Sequence, residues 1–404
     1  MRREPPSGEP QHWSVIAVIA ATTLAQVAAA MGSAVFPIIA PKLAPVLGVP
    51  PAFVGYQQSL IYGIATIGTC FLGGMITRYG ACRTMQASLA LCVTAMLLTA
   101  TASQAAVVAA SVLLGIGMSV MNPATAHLLY RFSPATSRNL IFSIKQTGVP
   151  FAWLLLALIA PGIALAWGWR WALAPVLAMA LVMLILLQTV RAAWDDDRST
   201  HLAAGYSYLA GMRVLWQPPA LRWLAIASFC YSFLQLCLGS FLVTMMVEEA
   251  AYSLVEAGLL LSLTQAAGVA GRIFWGWCAD RLGNGLVILQ RLNVVMIACC
   301  IAAAFITPRW PAAALIALFA AFGASAVGWN GIFLAEVARR SPHGMISVAV
   351  GGAMMWNFGG ILAGPATFAT LYQATGSYTA TFGWLTIVAT TGLALISAAR
   401  RAAR

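Results

Sequence analysis

Charge is what this sequence has least of. Only 8% of its 404 residues are Asp, Glu, Lys or Arg, while 61% are hydrophobic. Soluble proteins average roughly 25% charged residues. So few charges cannot cover a water-facing surface, and the solvent for most of this chain must be lipid. Alternating segments are missing too. A spanning β-barrel would show them at ~10 residues each, whereas the apolar runs here are long and unbroken. Histidine is scarce: His12, His127, His201 and His343 are scattered without ligand spacing. That argues against a metal centre and against a membrane-integral enzyme, which needs clustered His, Asp or Glu. The eight cysteines form no CxxC, and most lie in apolar runs, so they read as small buried hydrophobes. No P-loop or other nucleotide motif occurs, and no cofactor is expected. The net charge is +12, yet no basic patch is interleaved with exposed aromatics, so nucleic acid is not an expected partner.

What is present is a series of apolar runs. A spanning helix needs about 20 apolar residues. Arg2-Arg3 precede an apolar stretch from about Trp13 to Ala40, longer than the apolar core of a signal peptide, so it reads as the first span. Twelve spans follow from the runs. Six lie near 14–38, 52–73, 85–103, 105–130, 140–163 and 171–190, and six near 220–246, 257–276, 291–307, 311–335, 345–367 and 378–398. Alternating them from a cytoplasmic N-terminus puts 17 of the 22 Arg and Lys inside and three outside (Lys42, Arg170 and Arg309). This is the positive-inside distribution. Both termini are then cytoplasmic, and residues 191–219 form a cytoplasmic linker. The acidic run Asp195-Asp196-Asp197 in that linker reads as a solvated face.

The two halves repeat. Gly55, Ser59, Gly68, Gly73, Arg78 and Gly80 each lie 203 positions before an identical residue: Gly258, Ser262, Gly271, Gly276, Arg281 and Gly283. Gly115, Asn122, Arg131, Ser133 and Pro134 match Gly323, Asn330, Arg339, Ser341 and Pro342 at an offset of 208. Gly32-Ser33 matches Gly239-Ser240 at 207. An internal repeat governs any fold assignment. Six spans per half is an even number, so the halves run parallel, related by an axis along the membrane normal. The expected fold is an all-α membrane protein of two pseudo-symmetric six-helix bundles, residues 1–190 and 220–404.

In this layout the chain resembles the major facilitator superfamily of transporters. The resemblance covers essentially the whole chain: two six-helix halves, an interior linker and a Gly-x3-Asp-Arg-x-Gly loop after the second helix of a half. Gly276 to Gly283, with Asp280 and Arg281, fits that loop. The first copy carries Arg78 and Gly80 but has Thr77 where the family has Asp. The resemblance implies alternating access and a gating role for Arg78, Asp280 and Arg281. Arg272, about two helical turns before Asp280, is expected to reach Asp280 or a neighbouring helix end.

An ionisable residue inside a span is a functional hypothesis by default. Lys145 and Arg272 are the two charged residues that fall deep within spans. Lys145 adjoins Gln146 and Thr147, and Asn122 on the antiparallel neighbouring span should lie at similar depth. Snorkelling of Lys145 to the interior face is the bland alternative. Together Lys145, Asn122 and Gln146 suit a carboxylate or other small anion, with Gln235, Asn330 and Asn357 opposite. Gly148 with Pro150, and Gly359-Gly360 with Gly364-Pro365, weaken spans five and eleven; paired interruptions point to a binding site, and close helix packing is the alternative. No Asp or Glu lies deep in a span, which fits an anionic rather than a cationic solute. His127 near the interior end of span four reads as packed. The resulting expectation is a secondary transporter of a small organic anion in the cell inner membrane, monomeric and coupled to H+ or Na+. An exporter of drugs or metabolites on the same fold is the alternative.

Overall fold

The computed structural model describes residues 15–72, 74–134, 138–198, 215–216, 218–342 and 345–403. Most of the predicted linker, the N-terminal arginines and His12, His201 and His343 lie outside these residues. The regular structure described is helical throughout. The first half holds α1 (Val15–Leu47), α2 (Val54–Leu72), α3 (Gly74–Tyr79), α4 (Ala81–Ala100), α5 (Gln104–Phe132), α6 (Arg138–Gln146), α7 (Gly148–Trp167) and α8 (Ala174–Trp194). The second holds α9 (Pro219–Glu248), α10 (Leu254–Leu282), α11 (Gly285–Ala303), α12 (Ala312–Ala326), α13 (Asn330–Arg340), α14 (Ile346–Thr375) and α15 (Tyr378–Ala402). The pairs α2/α3, α6/α7 and α12/α13 each make one span, so each half contributes six. Among the described residues ten spans are long and apolar enough to cross a membrane. The spans of α2 and α14 complete twelve.

Several helices run past the predicted edges. α1 continues to Leu47 through Pro37, Pro41 and Pro45. α4 begins at Ala81 and α11 at Gly285, so Arg83 and Arg291 lie inside helices rather than before them. The cause is capping. A helix start leaves N–H groups unpaired, and acidic side chains fill that role here. Asp195 accepts from Cys82 N at 2.7 Å and Arg83 N at 3.0 Å, at the start of α4. Glu336 accepts from Gly285 N at 3.1 Å, at the start of α11. Glu249 accepts from Tyr378 N and Thr379 N at the start of α15. Glu256 and Ser253 form a capping box on α10.

The repeat is visible in the packing. Gly80 (φ +98) and Gly283 (φ +60), 203 positions apart, both turn the chain through positive φ, which glycine tolerates without strain. A Cβ on Gly115 would strike the carbonyl of Ile61, and one on Gly323, 208 positions on, the carbonyl of Thr264, 203 positions after Ile61. These glycines let α5 close on α2, and α12 on α10, in the same register.

The halves meet unevenly. Call the end that carries the linker the linker end, and its opposite the far end. α2 packs on α14, α7 on α10 and α1 on α9. Near the far end, Tyr56 Oη meets Thr370 Oγ1 at 2.9 Å, Ala366 N donates to Ser59 Oγ at 3.0 Å, and Ser262 Oγ donates to the Leu154 carbonyl at 3.0 Å. Gly55 and Gly258 sit where a Cβ would strike the Pro365 and Ala157 carbonyls. At the linker end no hydrogen bond or ion pair joins the halves among the described residues. The core divides accordingly: one large cluster joins both halves, and a separate one, around Met85, Leu128 and Trp194, stays within the first half.

Candidate functional site

Two polar clusters gather at helix interruptions between the halves, and one arginine joins them. The first is at the α6/α7 junction. Lys145 lies in the last turn of α6 and is 3% exposed; its Nζ donates to Asn122 Oδ1 at 2.7 Å. Asn122 is itself exposed. The buried ammonium therefore does not snorkel to the membrane face. It sits behind an amide that faces open space, and Gln146 beside it is exposed. α7 restarts at Gly148, where a Cβ would approach the Thr23 carbonyl of α1 at 3.3 Å.

The second cluster is at the α12/α13 junction. Gln235 Oε1 on α9 accepts from Trp329 Nε1 at 3.0 Å and Asn330 Nδ2 at 3.1 Å. Trp329 is fully buried and packs against Tyr231 and Phe333. The interruption falls at Val327 to Trp329, in span ten rather than span eleven. Span eleven is one continuous helix, α14, despite Gly359, Gly360 and Pro365. Its glycines serve close packing instead: Gly360 and Gly364 lie against the Phe229 and Phe233 carbonyls of α9.

Arg272 joins the two junctions. Its Nε donates to the Val327 carbonyl at 2.9 Å and its Nη1 to the Gln146 carbonyl at 3.0 Å. Helix interruptions free carbonyls that need donors, and one guanidinium fork supplies both. Of the two expected partners Arg272 takes neighbouring helix ends and not Asp280, which is exposed and forms no ion pair among the described residues. Arg281 lies over the Trp277 ring and Arg78 over the Tyr79 ring, each within its own loop. Asn357 is buried, but its contact is a backbone one, its carbonyl accepting from Ser232 Oγ at 2.7 Å.

Two features escaped the sequence reading. The acidic run after α8 is a clasp: Asp196 and Asp197 are exposed, as a solvated face would be, but Asp195 is buried and all three carboxylates are bonded. Asp195 caps α4, Arg131 pairs with Asp196 at 2.5 Å, and His127 Nε2 meets Asp197 Oδ2 at 2.7 Å. His127 is thus tied to the linker rather than packed in the bundle. Burial pushes the Asp195 carboxyl above its ordinary range, and the Arg131 hydrogen bond holds Asp196 below it. The second feature is Gln26 on α1, 3% exposed with Oε1 unpaired among the described residues. A glutamine inside an apolar run was the signal for it.

Two parallel six-helix halves, closed together at one end and lined between them by polar helix breaks, define a membrane transporter. Residues 22–365 match the Major Facilitator Superfamily, and the chain belongs to it. It is accordingly a transporter and not an enzyme. The fold is similar to that of a peptide transporter solved in complex with sulfate, at TM-score 0.76 and 13% identity, over 99% of this chain and 96% of that one. A mutant form of a peptide transporter, also in complex with sulfate, aligns at TM-score 0.75 and 14% identity, over 95% of this chain and 94% of that chain. No curated protein matches the chain in sequence.

Proposed function

We propose that this chain is a secondary transporter of a small organic anion. It alternates access by rocking residues 1–190 against 220–404 about a site near the bilayer midplane, with 191–219 as a cytoplasmic linker. The observation that carries the anionic reading is Lys145. A buried ammonium has three donors, and among the described residues the one hydrogen bond of Lys145 is to Asn122. A carboxylate reaching past Asn122 would complete it, with Gln146 on the same side and Asn330, Gln235 and Asn357 opposite.

The positive-inside distribution supports a cytoplasmic linker end in the cell inner membrane. On that orientation the far-end contacts correspond to an inward-facing state. Arg272 bridges the halves at the site, and Asp280, Arg281 and Arg78 await the opposite state at the linker end. The chain has no nucleotide motif, so the driving gradient is an ion, H+ or Na+, or the solute itself, and a single chain is the transporting unit.

The test is uptake of labelled mono- and dicarboxylates into proteoliposomes. We expect Lys145→Gln to lower uptake at least tenfold, with Lys145→Arg intermediate. Unchanged uptake by Lys145→Gln of every acid that the wild type carries would remove the anionic assignment.

A further inference from the structure

The polar character of the site does not end at the residues that touch Lys145. α1 packs against both α6 and α7. The face it turns to their junction is fixed by Gly148, whose Cβ position lies 3.3 Å from the Thr23 carbonyl and 3.5 Å from Val27 Cγ2. Gln26 is three residues from Thr23 on the same helix face. It is buried, and among the described residues its Oε1 has no hydrogen-bond partner; nor does the buried Thr23 Oγ1. An unpaired buried acceptor has given up its hydrogen bonds to water without replacement. Most polar side chains nearby avoid that loss. Thr22 bonds the Val18 carbonyl, and Thr125 bonds the Met121 carbonyl.

Gln26 and Lys145 are complementary in what they leave open. Lys145 has donors to give, and Gln26 has an acceptor to fill, yet they do not bond each other. A group able to serve both must accept at one atom and donate at another. A plain carboxylate only accepts. We infer that Gln26 is a specificity-determining residue of the transport site, which selects anions carrying a hydroxyl donor beside the carboxylate: the 2-hydroxy acids. This inference rests on the anion reading of Lys145 proposed above. A site built to bond a substrate hydroxyl rejects the analogue that lacks it, because its own polar group is then left unpaired.

The experiment measures binding of matched acid pairs to the purified full-length chain by scintillation proximity. The probes are lactate against propionate, malate against succinate, and glycolate against acetate. The wild type is expected to prefer the hydroxy member of a pair at least tenfold. Gln26→Leu is expected to bring that ratio to about one while binding of the deoxy acid is kept. Gln26→Asn, which keeps the amide, should retain part of the preference. A ratio unchanged in Gln26→Leu overturns the inference, and so does equal loss of both acids with a lowered Tm, which would mark a structural glutamine. Lys145→Gln separates the two readings. If it abolishes binding while Gln26→Leu leaves the ratio alone, only the role of Gln26 fails. If it changes nothing, or if the wild type binds neither acid of any pair, the anion reading fails and this inference with it.

Discussion

Arg272 holds two helix breaks with one side chain, and the repeat shows where that role comes from. Its equivalent 203 positions earlier is Thr69, whose Oγ1 donates to the Ser119 carbonyl at 3.2 Å. Ser119 in turn matches Val327 at the 208 offset of that region. Both side chains therefore make the same bond within their own half. Arginine, being longer, also crosses to Gln146 in the other half. The fork matters more than the charge here. Lysine carries a single ammonium and cannot present two rigidly spaced donors to two carbonyls. We expect Arg272→Lys to lower transport at least tenfold while leaving the folded yield near wild type. Transport kinetics and size-exclusion profiles of the variant check this. The sequence marked Arg272 as one of two deep charges, and that was enough to single it out. It could not show the partner, because Val327 and Gln146 contribute carbonyls, and any residue type carries one. Lys145 and Asn122 were legible as a pair because antiparallel neighbours fix their depth from sequence distance alone.

At the scale of helices, the apolar runs revealed the number and order of the spans and the break in span five, but the second break was misplaced. Span eleven contains the glycines and proline that suggest interruption, and it is straight through. Span ten has Gly328 and no proline at its break, and it is interrupted. The difference lies in what packs outside the helix. The Gly360 and Gly364 positions are filled by the α9 backbone, which holds α14 in place. The Val327 carbonyl instead has Arg272 to receive it, so the helical bond there is dispensable. Local composition cannot register either neighbour. The small residues at the far end carry a prediction of their own. Gly258 of α10 lies where a Cβ would approach the Ala157 carbonyl of α7 at 2.5 Å, a distance that real side chains do not tolerate. Gly258→Val should wedge the far end apart. We expect transport to fall several-fold, and a cysteine placed at Ser262 to gain reactivity towards a membrane-impermeant maleimide from the far side. A variant with wild-type closure and full transport would mean that α7 and α10 can separate there at no cost.

For the whole molecule, the copied loops are symmetric in sequence and unequal in wiring. At the start of α4 and of α11, the equivalent amides of Cys82 and Gly285 are both capped by an acid. The acid comes from Asp195 after span six in one half and from Glu336 in span ten in the other. Each loop is thus anchored within its own half. What remains free at the linker end is Asp280, exposed and without an ion pair among the described residues, while its counterpart Thr77 carries no charge. In the state seen here, the halves are joined at the far end and at Arg272, and no hydrogen bond or ion pair among the described residues spans the linker end. Rocking to the opposite state must break the far-end contacts and replace them at the linker end. Of the two equivalent positions, 77 and 280, only the second offers a charged acceptor for that purpose. Asp280→Asn should therefore slow transport far more than Thr77→Val. It should also raise the share of molecules open at the linker end, measured by electron–electron distances between spin labels on α3 and on the turn after α10. Equal losses from the two substitutions, or unchanged distances in Asp280→Asn, would place the closing contact elsewhere and leave the asymmetry of the repeat without a role in gating.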